Sequence, residues 1–371
     1  MPASSINNLS VLLYPFSLLY GLVASIRNLL YDYNIIKVHE FPIPIISVGN
    51  ITVGGTGKTP HVEYLVKLLR NEFNVAVLSR GYKRRTRHFI LAGTDSNVED
   101  IGDEPVQIKQ KFPDVHVAVD RKRVNGVKEL MDRIPDLDVI LLDDAYQHRR
   151  LKPGLSILLI DFNRPVTKDR LLPVGRLREK AYEKRRANII LITKCPDRLK
   201  PIERRLIVKD SDLFAFQHLY FTRMAYREPI PVFMDASPDI TLSKIKTASP
   251  AILMITGIAN PGIFQQHLHQ ISGRILEMTF PDHHNFRQKD INQILQAYDG
   301  MEGNERFIFT TEKDAMRLRK FTNIDQDIKN SMFYIPIEPE FLNADSENFN
   351  IQILKYVKNN KRDSILHKKQ H

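Results

Sequence analysis

The chain has 371 residues, 43% of them hydrophobic and 26% charged, which excludes a disordered or collagen-like chain and suggests roughly two or three domains. Its one cysteine, Cys195, excludes a disulfide framework and CxxC redox chemistry, and indicates a reducing, cytoplasmic setting. Fifty-four basic against 43 acidic residues give a net charge of +11, which favours anionic partners such as phosphate, nucleic acid or an acidic membrane.

An apolar segment opens the chain and predicts a helix over residues 1–33. Residues 11–26 carry no charge, but this run is shorter than the about 20 residues that a bilayer span needs. Small and polar residues recur at helical spacing and would form one narrow stripe, at Ser10, Ser17, Gly21, Ser25 and Asn28. We expect a short or interfacial membrane helix, with a helix buried against the domain as the alternative. Arg27 and Lys37 follow it and would keep the rest of the chain in the cytoplasm.

Short runs of Ile, Val and Leu alternate with helical segments across residues 34–212. The runs are residues 43–48, 75–78, 115–119, 139–142, 157–160 and 189–192. They show little polar alternation, as expected for parallel strands covered on both faces. Segments 61–71 and 123–133 have the pattern of crossover helices. The sequence therefore predicts an α/β fold with a doubly wound, mostly parallel sheet.

A segment that contains several prolines interrupts this pattern. Residues 213–250 include Pro229, Pro231 and Pro238, and we interpret the segment as a linker or hinge. Apolar runs resume at residues 252–255, 275–280 and 307–309. They predict a second, smaller α/β lobe over residues 251–371, which ends in a basic tail.

A glycine-rich turn follows the first apolar run, in the sequence ISVGNITVGGTGKTP of residues 46–60. Its glycines allow a tight turn whose N–H groups, together with the next helix, form a nest for phosphate oxygens. Lys58 supplies a cation for the β- and γ-phosphates, and the Thr59 hydroxyl can bind Mg²⁺. Thr52 stands where the strict P-loop pattern has glycine. The sequence still predicts a nucleoside triphosphate site of the P-loop NTPase type, formed by Thr52, Val53, Gly54, Gly55, Thr56, Gly57, Lys58 and Thr59.

Two adjacent carboxylates end another apolar run, in the sequence DVILLDDAYQH of residues 138–148. In P-loop proteins an acidic residue at the end of such a strand serves Mg²⁺. We expect Asp143 or Asp144 to face the metal, directly or through water. The alternative is that both side chains only cap the loop.

A series of motifs in fixed order resembles the tetraacyldisaccharide 4'-kinases, the lipid A 4'-kinase family. The motifs are TVGGTGKTP, SRGY, GDEP, DDAYQH, LLPVGRLRE, PDHH and TEKD, beginning at residues 52, 79, 102, 143, 171, 281 and 311. Ala145 and Lys83 stand where the family has glycine, and neither change removes a group that the chemistry needs. The resemblance covers nearly the whole chain. It implies transfer of the ATP γ-phosphate to the 4'-hydroxyl of an acylated disaccharide 1-phosphate, at the cytoplasmic face of the inner membrane.

The resemblance also implies a role for several single residues near the nucleotide. It groups Glu179 with Thr59 and Asp143 around Mg²⁺, with Gln147 close by. A surface acid is the alternative for Glu179. It places the TEKD motif near the base of the nucleotide, and so implies that Glu312 and Lys313 contact the nucleotide. A plain helix cap formed by Thr311 and Asp314 explains the TEKD motif equally well.

Two arginines are candidate phosphate clamps, because a guanidinium can bind phosphate oxygens with two hydrogen bonds. They are Arg80 and Arg123, and solvated surface is the alternative for each. Basic residues also concentrate in segments 80–87, 164–186 and 355–369. We expect these segments to be solvated or to face an anionic lipid surface. No aromatic residues alternate with them, and no zinc-finger or RNP pattern occurs, so we expect no nucleic-acid partner.

Asp103 in GDEP and His283 in PDHH are paired at the active site by the resemblance. A sugar hydroxyl does not ionise at neutral pH, so its proton must leave as the phosphoryl group arrives. A nearby carboxylate can accept it, as the catalytic-loop aspartate does in protein kinases. We expect Asp103 to be the base and His283 to orient it and tune its pKa toward the working range.

Two other classes of protein are compatible with the phosphate loop. One is a membrane-associated P-loop ATPase switch without a lipid acceptor, of the partitioning type. Those switches generally have a lysine where Val53 stands, and they have little use for PDHH in a second lobe. The other is a membrane-bound scaffold whose ATP site is vestigial, against which the intact Lys58, Thr59 and Asp143 argue.

Overall fold

A computed structural model describes residues 8–82, 84–236, 241–243, 245, 250–303 and 305–368. Its strands are β1 Ile45–Gly49, β2 Val75–Ser79, β3 Ile90–Leu91, β4 His116–Val119, β5 Val139–Asp143, β6 Leu155–Asp161, β7 Ile189–Thr193, β8 His218–Tyr226, β9 Ile230–Pro231, β10 Ala251–Thr256, β11 Ile275–Thr279, β12 Arg306–Thr311, β13 Met332–Ile335 and β14 Ile337–Phe341. Its α-helices are α1 Asn8–Asp32, α2 Lys58–Leu69, α3 Val98–Ile101, α4 Asp103–Lys111, α5 Arg123–Arg133, α6 Pro201–Ser211, α7 Gly262–His269, α8 Gln288–Asp299, α9 Glu312–Leu318, α10 Gln326–Asn330 and α11 Asp345–Lys368. Short 3₁₀ helices cover Val166–Lys168 and Ala181–Arg186.

The larger sheet has the strand order β14-β8-β7-β6-β1-β5-β2-β4-β3. Its central strands are parallel, and only the edge strands β3 and β14 pair antiparallel with their neighbours. Strand β1 lies between β5 and β6, so the winding changes direction at β1. Ligands of such sheets bind beside the carboxyl ends of the strands at this switch point. The prediction of a doubly wound, mostly parallel sheet is confirmed.

The smaller sheet has the order β11-β10-β12-β13-β9 and is parallel except for the edge strand β9. The apolar runs at residues 252–255, 275–280 and 307–309 supply β10, β11 and β12, in that order. This confirms the prediction of a second, smaller α/β lobe.

The domain boundaries differ from the predicted ones. The predicted linker, 213–250, contains β8, which pairs parallel with β7 in the larger sheet, and β9, which joins the smaller one. Strand β14 and helix α11, predicted to belong to the second lobe, return to the larger sheet. Arg223 interrupts the apolar side chains of β8 and is paired with Glu340 of β14, so no continuous apolar run marks this strand. Pro238 and the last tail residues, 369–371, lie outside the described residues, as does Lys83.

The two faces of the larger sheet are covered by different helices. Helices α2, α4 and α11 bury one face, where Val62, Val106 and Phe349 join the apolar side chains of the central strands. Helix α5 and the segments that follow β5, β6 and β7 bury the other face. Helix α11 therefore lies on the opposite side of the sheet from the segments between residues 177 and 213.

Helix α1 packs on the body through its polar stripe, while most of its apolar side chains are exposed. Ser17, Gly21 and Asn28 are buried, and Ser17 donates a hydrogen bond to the Leu171 carbonyl at 2.9 Å. The outward side chains include Leu12, Phe16, Leu18, Leu19, Leu22, Val23 and Ile26. Among the described residues, Leu12–Asp32 is long and apolar enough to cross a membrane, by length and composition. The helix is confirmed over residues 8–32, and residues 1–7 lie outside the described residues. It packs on the domain but is not buried in it, because most of its apolar side chains are exposed.

Candidate active site

The predicted phosphate loop connects β1 to α2, which begins at Lys58. Gly57 precedes the helix with φ of +88°, a conformation that glycine adopts without the steric cost of a Cβ atom. A Cβ atom there would also overlap the Met224 side chain of β8. The turn thus leaves the first N–H groups of α2 at the carboxyl end of β1, where an anion can accept their hydrogen bonds.

Side chains that the sequence analysis missed hold this loop from behind. Asn50 donates to the Thr56 hydroxyl at 3.0 Å, and the Thr193 hydroxyl donates to the Thr56 carbonyl at 2.9 Å. The Lys194 ammonium donates to the Gly55 carbonyl. Thr193 and Lys194 come at the carboxyl end of the parallel strand β7, and that position was the signal that could have identified them.

His61 connects the start of α2 to β8. Burial lowers the pKa of His61 to about 4, so its ring is neutral at physiological pH. Nδ1 lies 2.7 Å from the Gly57 carbonyl, and Nε2 lies 3.1 Å from the Thr222 hydroxyl. A carbonyl can only accept, so Nδ1 carries the proton and Nε2 accepts from Thr222. The phosphate loop is thereby joined to the strand that leads to the second lobe.

Asp143 ends β5 and is fully buried. Its Oδ2 accepts a long hydrogen bond from Ser79 at 3.4 Å, and its Oδ1 has no hydrogen-bond partner. Burial, with the negative charges of Glu104 and Asp144, raises the pKa of Asp143 to about 7. A buried carboxylate oxygen without a donor fits an oxygen-ligated cation, because such a cation would replace the missing partner. The residues present therefore fit Mg²⁺.

Asp144 follows in a left-handed conformation and faces two cations. Its carboxylate lies 3.7 Å from Lys58 Nζ and 3.4 Å from Arg178 Nη1. Arg178 also donates to Gln147 Oε1 at 3.3 Å, and Gln147 donates in turn to the Asn50 carbonyl at 2.7 Å. Lys58, Asp144 and Gln147 are thus brought together beside the phosphate loop.

Glu179 has different partners from the other predicted metal ligands. It is buried, Arg186 donates to its Oε2, and Asn28 of α1 donates to its Oε1 at 3.4 Å. Among the described residues, no three His, Cys, Asp or Glu side chains are grouped closely enough to hold a metal ion. The structure therefore does not gather Glu179 into one cluster with Asp143 and Asp144.

The two candidate arginine clamps occupy contrasting environments. Arg80 is exposed, whereas Arg123 is buried, and burial lowers its pKa to about 10. Arg123 donates to the backbone carbonyl of Asp143 at 3.0 Å and to that of Asp120. The solvated-surface alternative is therefore wrong for Arg123, which holds the backbone at the end of β5.

Asp103 and His283 are in direct contact although they are 180 positions apart in the chain. His283 Nδ1 lies 2.9 Å from Asp103 Oδ2. Asp103 begins α4, and His283 lies in the loop after β11 with φ of +59°. The structure brings these two predicted site residues together across the two lobes.

Arg317 of α9 completes this contact, and no sequence signal pointed to it. Its Nε donates to Asp103 Oδ1 at 3.2 Å, and its Nη2 donates to Asp103 Oδ2. Burial raises the pKa of Asp103, but the hydrogen bonds from His283 and Arg317 outweigh it and hold the pKa well below its usual range. This differs from the expectation that the pKa would be tuned toward the working range.

The TEKD motif begins α9. Thr311 caps the helix by accepting from the Asp314 N–H at 3.3 Å, so the helix-cap interpretation is confirmed. Glu312 pairs with Lys111 at 3.0 Å, and Lys313 pairs with Glu104 at 2.6 Å. Both residues therefore contact α4 of the first lobe, and their contact with a nucleotide stays a prediction.

The chain is similar to known proteins over nearly its whole length. A family model described as tetraacyldisaccharide-1-P 4'-kinase matches residues 9–358. The tetraacyldisaccharide 4'-kinases of Phocaeicola vulgatus and Bacteroides fragilis are 46% and 47% identical to it, over 95% of the chain and 96% and 95% of their own lengths. A crystal structure of LpxK from Aquifex aeolicus in complex with ATP superposes with a TM-score of 0.72 at 28% identity, over 94% of this chain and 99% of that one. The chain belongs to the tetraacyldisaccharide-1-P 4'-kinase family.

Proposed function

We propose that the protein transfers the γ-phosphate of ATP to the 4'-hydroxyl of tetraacyldisaccharide 1-phosphate and releases the 1,4'-bisphosphate. One observation supports this most strongly: the first turn of α4 connects the phosphate loop electrostatically to the Asp103–His283 pair. Glu104, next to Asp103, interacts electrostatically with both Lys58 and His283. The first turn of α4 is therefore near both the residue that would hold the donor phosphate and the histidine that would orient the proton acceptor.

Asp103 acts as the proton acceptor in this proposal. Arg317 and His283 keep its carboxylate ionised at neutral pH, so it is ready to accept the hydroxyl proton as the phosphoryl group arrives. His283 orients the carboxylate through the 2.9 Å contact. Lys58 neutralises charge that develops on the transferred group, which is the larger contribution in phosphoryl transfer.

The nucleotide and its metal would be held by residues around the phosphate loop. Thr59, Asp143 and Asp144 would hold Mg²⁺, with Glu179 as a more distant contributor. When bound, the metal would neutralise phosphate charge. Arg80 and Gln147 are further candidates for phosphate contacts, Arg123 would act through the Asp143 backbone, and Glu312 and Lys313 are candidates near the base.

The membrane placement of the protein follows from α1. Its polar stripe faces the body, where Ser17 donates a hydrogen bond to the Leu171 carbonyl. The neighbouring Tyr20 donates to the Arg178 carbonyl at 2.9 Å. Its apolar side chains remain to enter a lipid leaflet, as in an interfacial amphipathic helix. We infer that the helix attaches the protein to the cytoplasmic face of the inner membrane, where an acylated acceptor would be within reach.

The test is a product assay with purified protein in detergent. The protein is incubated with ATP, Mg²⁺ and the tetraacylated disaccharide 1-phosphate, and the mass of the lipid is measured. A mass gain of one phosphate supports the proposal. Equal ADP release with and without the acceptor, and no bisphosphate, would instead support the ATPase switch, which the family assignment does not favour.

A further inference from the structure

Three aromatic side chains form an exposed patch, here called the aromatic patch, outside the site described above. They are Tyr182, Phe214 and Phe216, and 59%, 37% and 55% of their surfaces are exposed. The rings of Tyr182 and Phe214 are 6.5 Å apart, and those of Phe214 and Phe216 are stacked at 6.0 Å. A contiguous patch of exposed apolar side chains indicates a surface that contacts a membrane or another protein.

The aromatic patch continues from the carboxyl end of α1. Arg185 pairs with Asp32 of α1 at 2.6 Å, and its guanidinium lies 4.8 Å from the centre of the Tyr182 ring. The neighbouring residues Ala181 and Leu213 pack into the apolar cluster on the α1 side of the larger sheet. The patch and the exposed apolar side chains of α1 therefore lie on one side of the molecule.

The residues around the patch are those of a lipid–water interface. Lys180 lies near Tyr182, and α6, next along the chain, exposes Arg205 and Lys209 together with Leu206. The exposed acids Asp210 and Asp212 come before Phe214 in the chain, and Arg185 is paired with Asp32 of α1. Aromatic rings take up the headgroup level of a bilayer, and neighbouring cations are attracted to anionic headgroups. A protein partner would need no such combination of rings and cations beside a lipid-facing helix.

We propose that the aromatic patch is a second lipid-contact surface, which inserts its rings into the headgroup region of an anionic membrane beside α1. This inference rests on the proposed membrane placement of α1. A single weak anchor binds membranes marginally, whereas two anchors on one protein give stable attachment. Two contact points would also fix the orientation of the body relative to the membrane, and with it the direction in which the candidate active site faces.

The chain contains no tryptophan, so one substitution creates a unique fluorescent reporter. Phe216→Trp reports on the patch, and Leu19→Trp reports on α1. Ile351→Trp is the matched control, because Ile351 is 55% exposed like Phe216 but belongs to α11 on the opposite side of the larger sheet. Each full-length variant is mixed with vesicles of phosphatidylglycerol and phosphatidylethanolamine, with and without brominated acyl chains.

We expect a blue shift and bromine quenching for Phe216→Trp and Leu19→Trp, and neither for Ile351→Trp. A shift for Leu19→Trp alone would overturn the second surface and leave the placement of α1 intact. A shift for neither would overturn both. A blue shift of Phe216→Trp that grows with protein concentration in the absence of vesicles would overturn the proposal in favour of a second copy of the chain.

A loss-of-binding variant gives an independent measurement. Replacing Tyr182, Phe214 and Phe216 together by serine removes exposed rings only, so we expect the fold to persist, as circular dichroism can verify. Vesicle affinity in co-sedimentation should fall by about tenfold or more, because two-anchor binding reverts to one. Unchanged affinity would count against the patch.

Discussion

At the scale of single residues, the charge of Asp103 is set by its neighbours rather than by solvent. Arg317 contacts both carboxylate oxygens, and His283 shares Oδ2 with it. Arg317 Nη1 is also 2.8 Å from Asp314 Oδ1, so the guanidinium is itself fixed in place. Burying any one of these charged side chains alone would cost free energy, whereas together they provide one another with hydrogen-bond partners and opposite charge.

Replacing Arg317 should change the pH dependence of the reaction. In the native protein the pKa of Asp103 is held low, so the carboxylate is ionised throughout the neutral range. In Arg317→Gln that pKa rises, so the acid limb of the kcat/KM profile should move to higher pH by about one unit or more. Arg319→Gln, on the same helical segment but without a contact to Asp103, is the control. An unchanged acid limb in Arg317→Gln would contradict this account.

Asp103 and His283 should behave as one unit in kinetics. Asp103→Ala and His283→Ala should each lower turnover by about a hundredfold or more, with ATP affinity little changed. The double variant should be much less impaired than the product of the two single effects, because the second substitution removes a group that no longer has its partner. Fully multiplicative losses in single-turnover measurements would show that the two residues act independently.

Lys58 should matter more for turnover than for folding. Its ammonium lies 3.7 Å from Asp144, so Lys58→Ala removes the cation beside the phosphate loop. Turnover should fall by at least about two orders of magnitude, since the charge is most valuable in the transition state. Lys67→Ala, on the outer side of the same helix, should retain near-native turnover and serves as the control. Near-native turnover in Lys58→Ala would refute the assignment of the loop.

At the scale of elements, α1 is a helix whose polar side faces protein and whose apolar side faces outward. Helix α1 lies very close to the body at Gly21, because a Cβ atom there would be only 2.6 Å from the Leu171 side chain. Asn28 of the same stripe donates to Glu179, and the Arg27 guanidinium donates to the Gln147 carbonyl at 2.7 Å. The helix thus packs directly on the loops that carry two of the predicted site residues.

Gly21→Leu should loosen α1 without changing its apolar side. The added side chain collides with Leu171, so the helix must move away from the body. We expect kcat/KM for an acceptor in vesicles to fall by about tenfold, while the value for an acceptor dispersed in detergent changes much less. Val23→Leu, on the exposed side, is the control. Equal losses in vesicles and detergent would indicate a general folding defect instead.

At the scale of the whole molecule, the two lobes meet along α4 and α9 through ion pairs. Asp103 binds Arg317, Glu104 binds Lys313, and Lys111 binds Glu312. Lys111 also pairs with Glu63 of α2, the helix that begins at the phosphate loop. The second lobe is therefore aligned with the phosphate loop by the same contacts that place His283 against Asp103.

Lys111→Met should destabilise the protein in a pH-dependent way. Burial and the charge of Glu312 raise the pKa of Glu63 to about 7, and Lys111 opposes them. Without Lys111 two buried carboxylates lose their cation, at a cost of about 3 kcal/mol in the free energy of unfolding. A carboxyl group whose pKa is raised by folding makes the folded protein less stable as pH rises toward that pKa. Loss of Lys111 raises the pKa of Glu63 further, so the loss in free energy of unfolding relative to wild type should grow above about pH 7. Urea unfolding at pH values on both sides of 7 measures this, and a deficit that is constant across them would contradict the role of Glu63.

Much of the fold and part of the site could be predicted from local patterns. Strands β1, β2, β5, β6 and β7 could be predicted from apolar runs, because a strand buried on both faces needs a continuous apolar stretch. The phosphate loop could be predicted because its glycines and Lys58 are close together in the chain. The polar stripe of α1 was also predicted, but not that it would face the body.

The rest depended on contacts between distant parts of the chain. Strand β8 was not predicted because Arg223, which pairs with Glu340 of β14, interrupts its apolar residues. Arg317 contacts Asp103 although the two residues are 214 positions apart, and no local sequence pattern around either residue indicates this contact. The sequence by itself determined the strands, the phosphate loop and, through its motif order, the resemblance to a kinase family. Only the tertiary structure decided the charge of Asp103, the side of α1 that faces outward and the alignment of the lobes, because each depends on which buried groups meet.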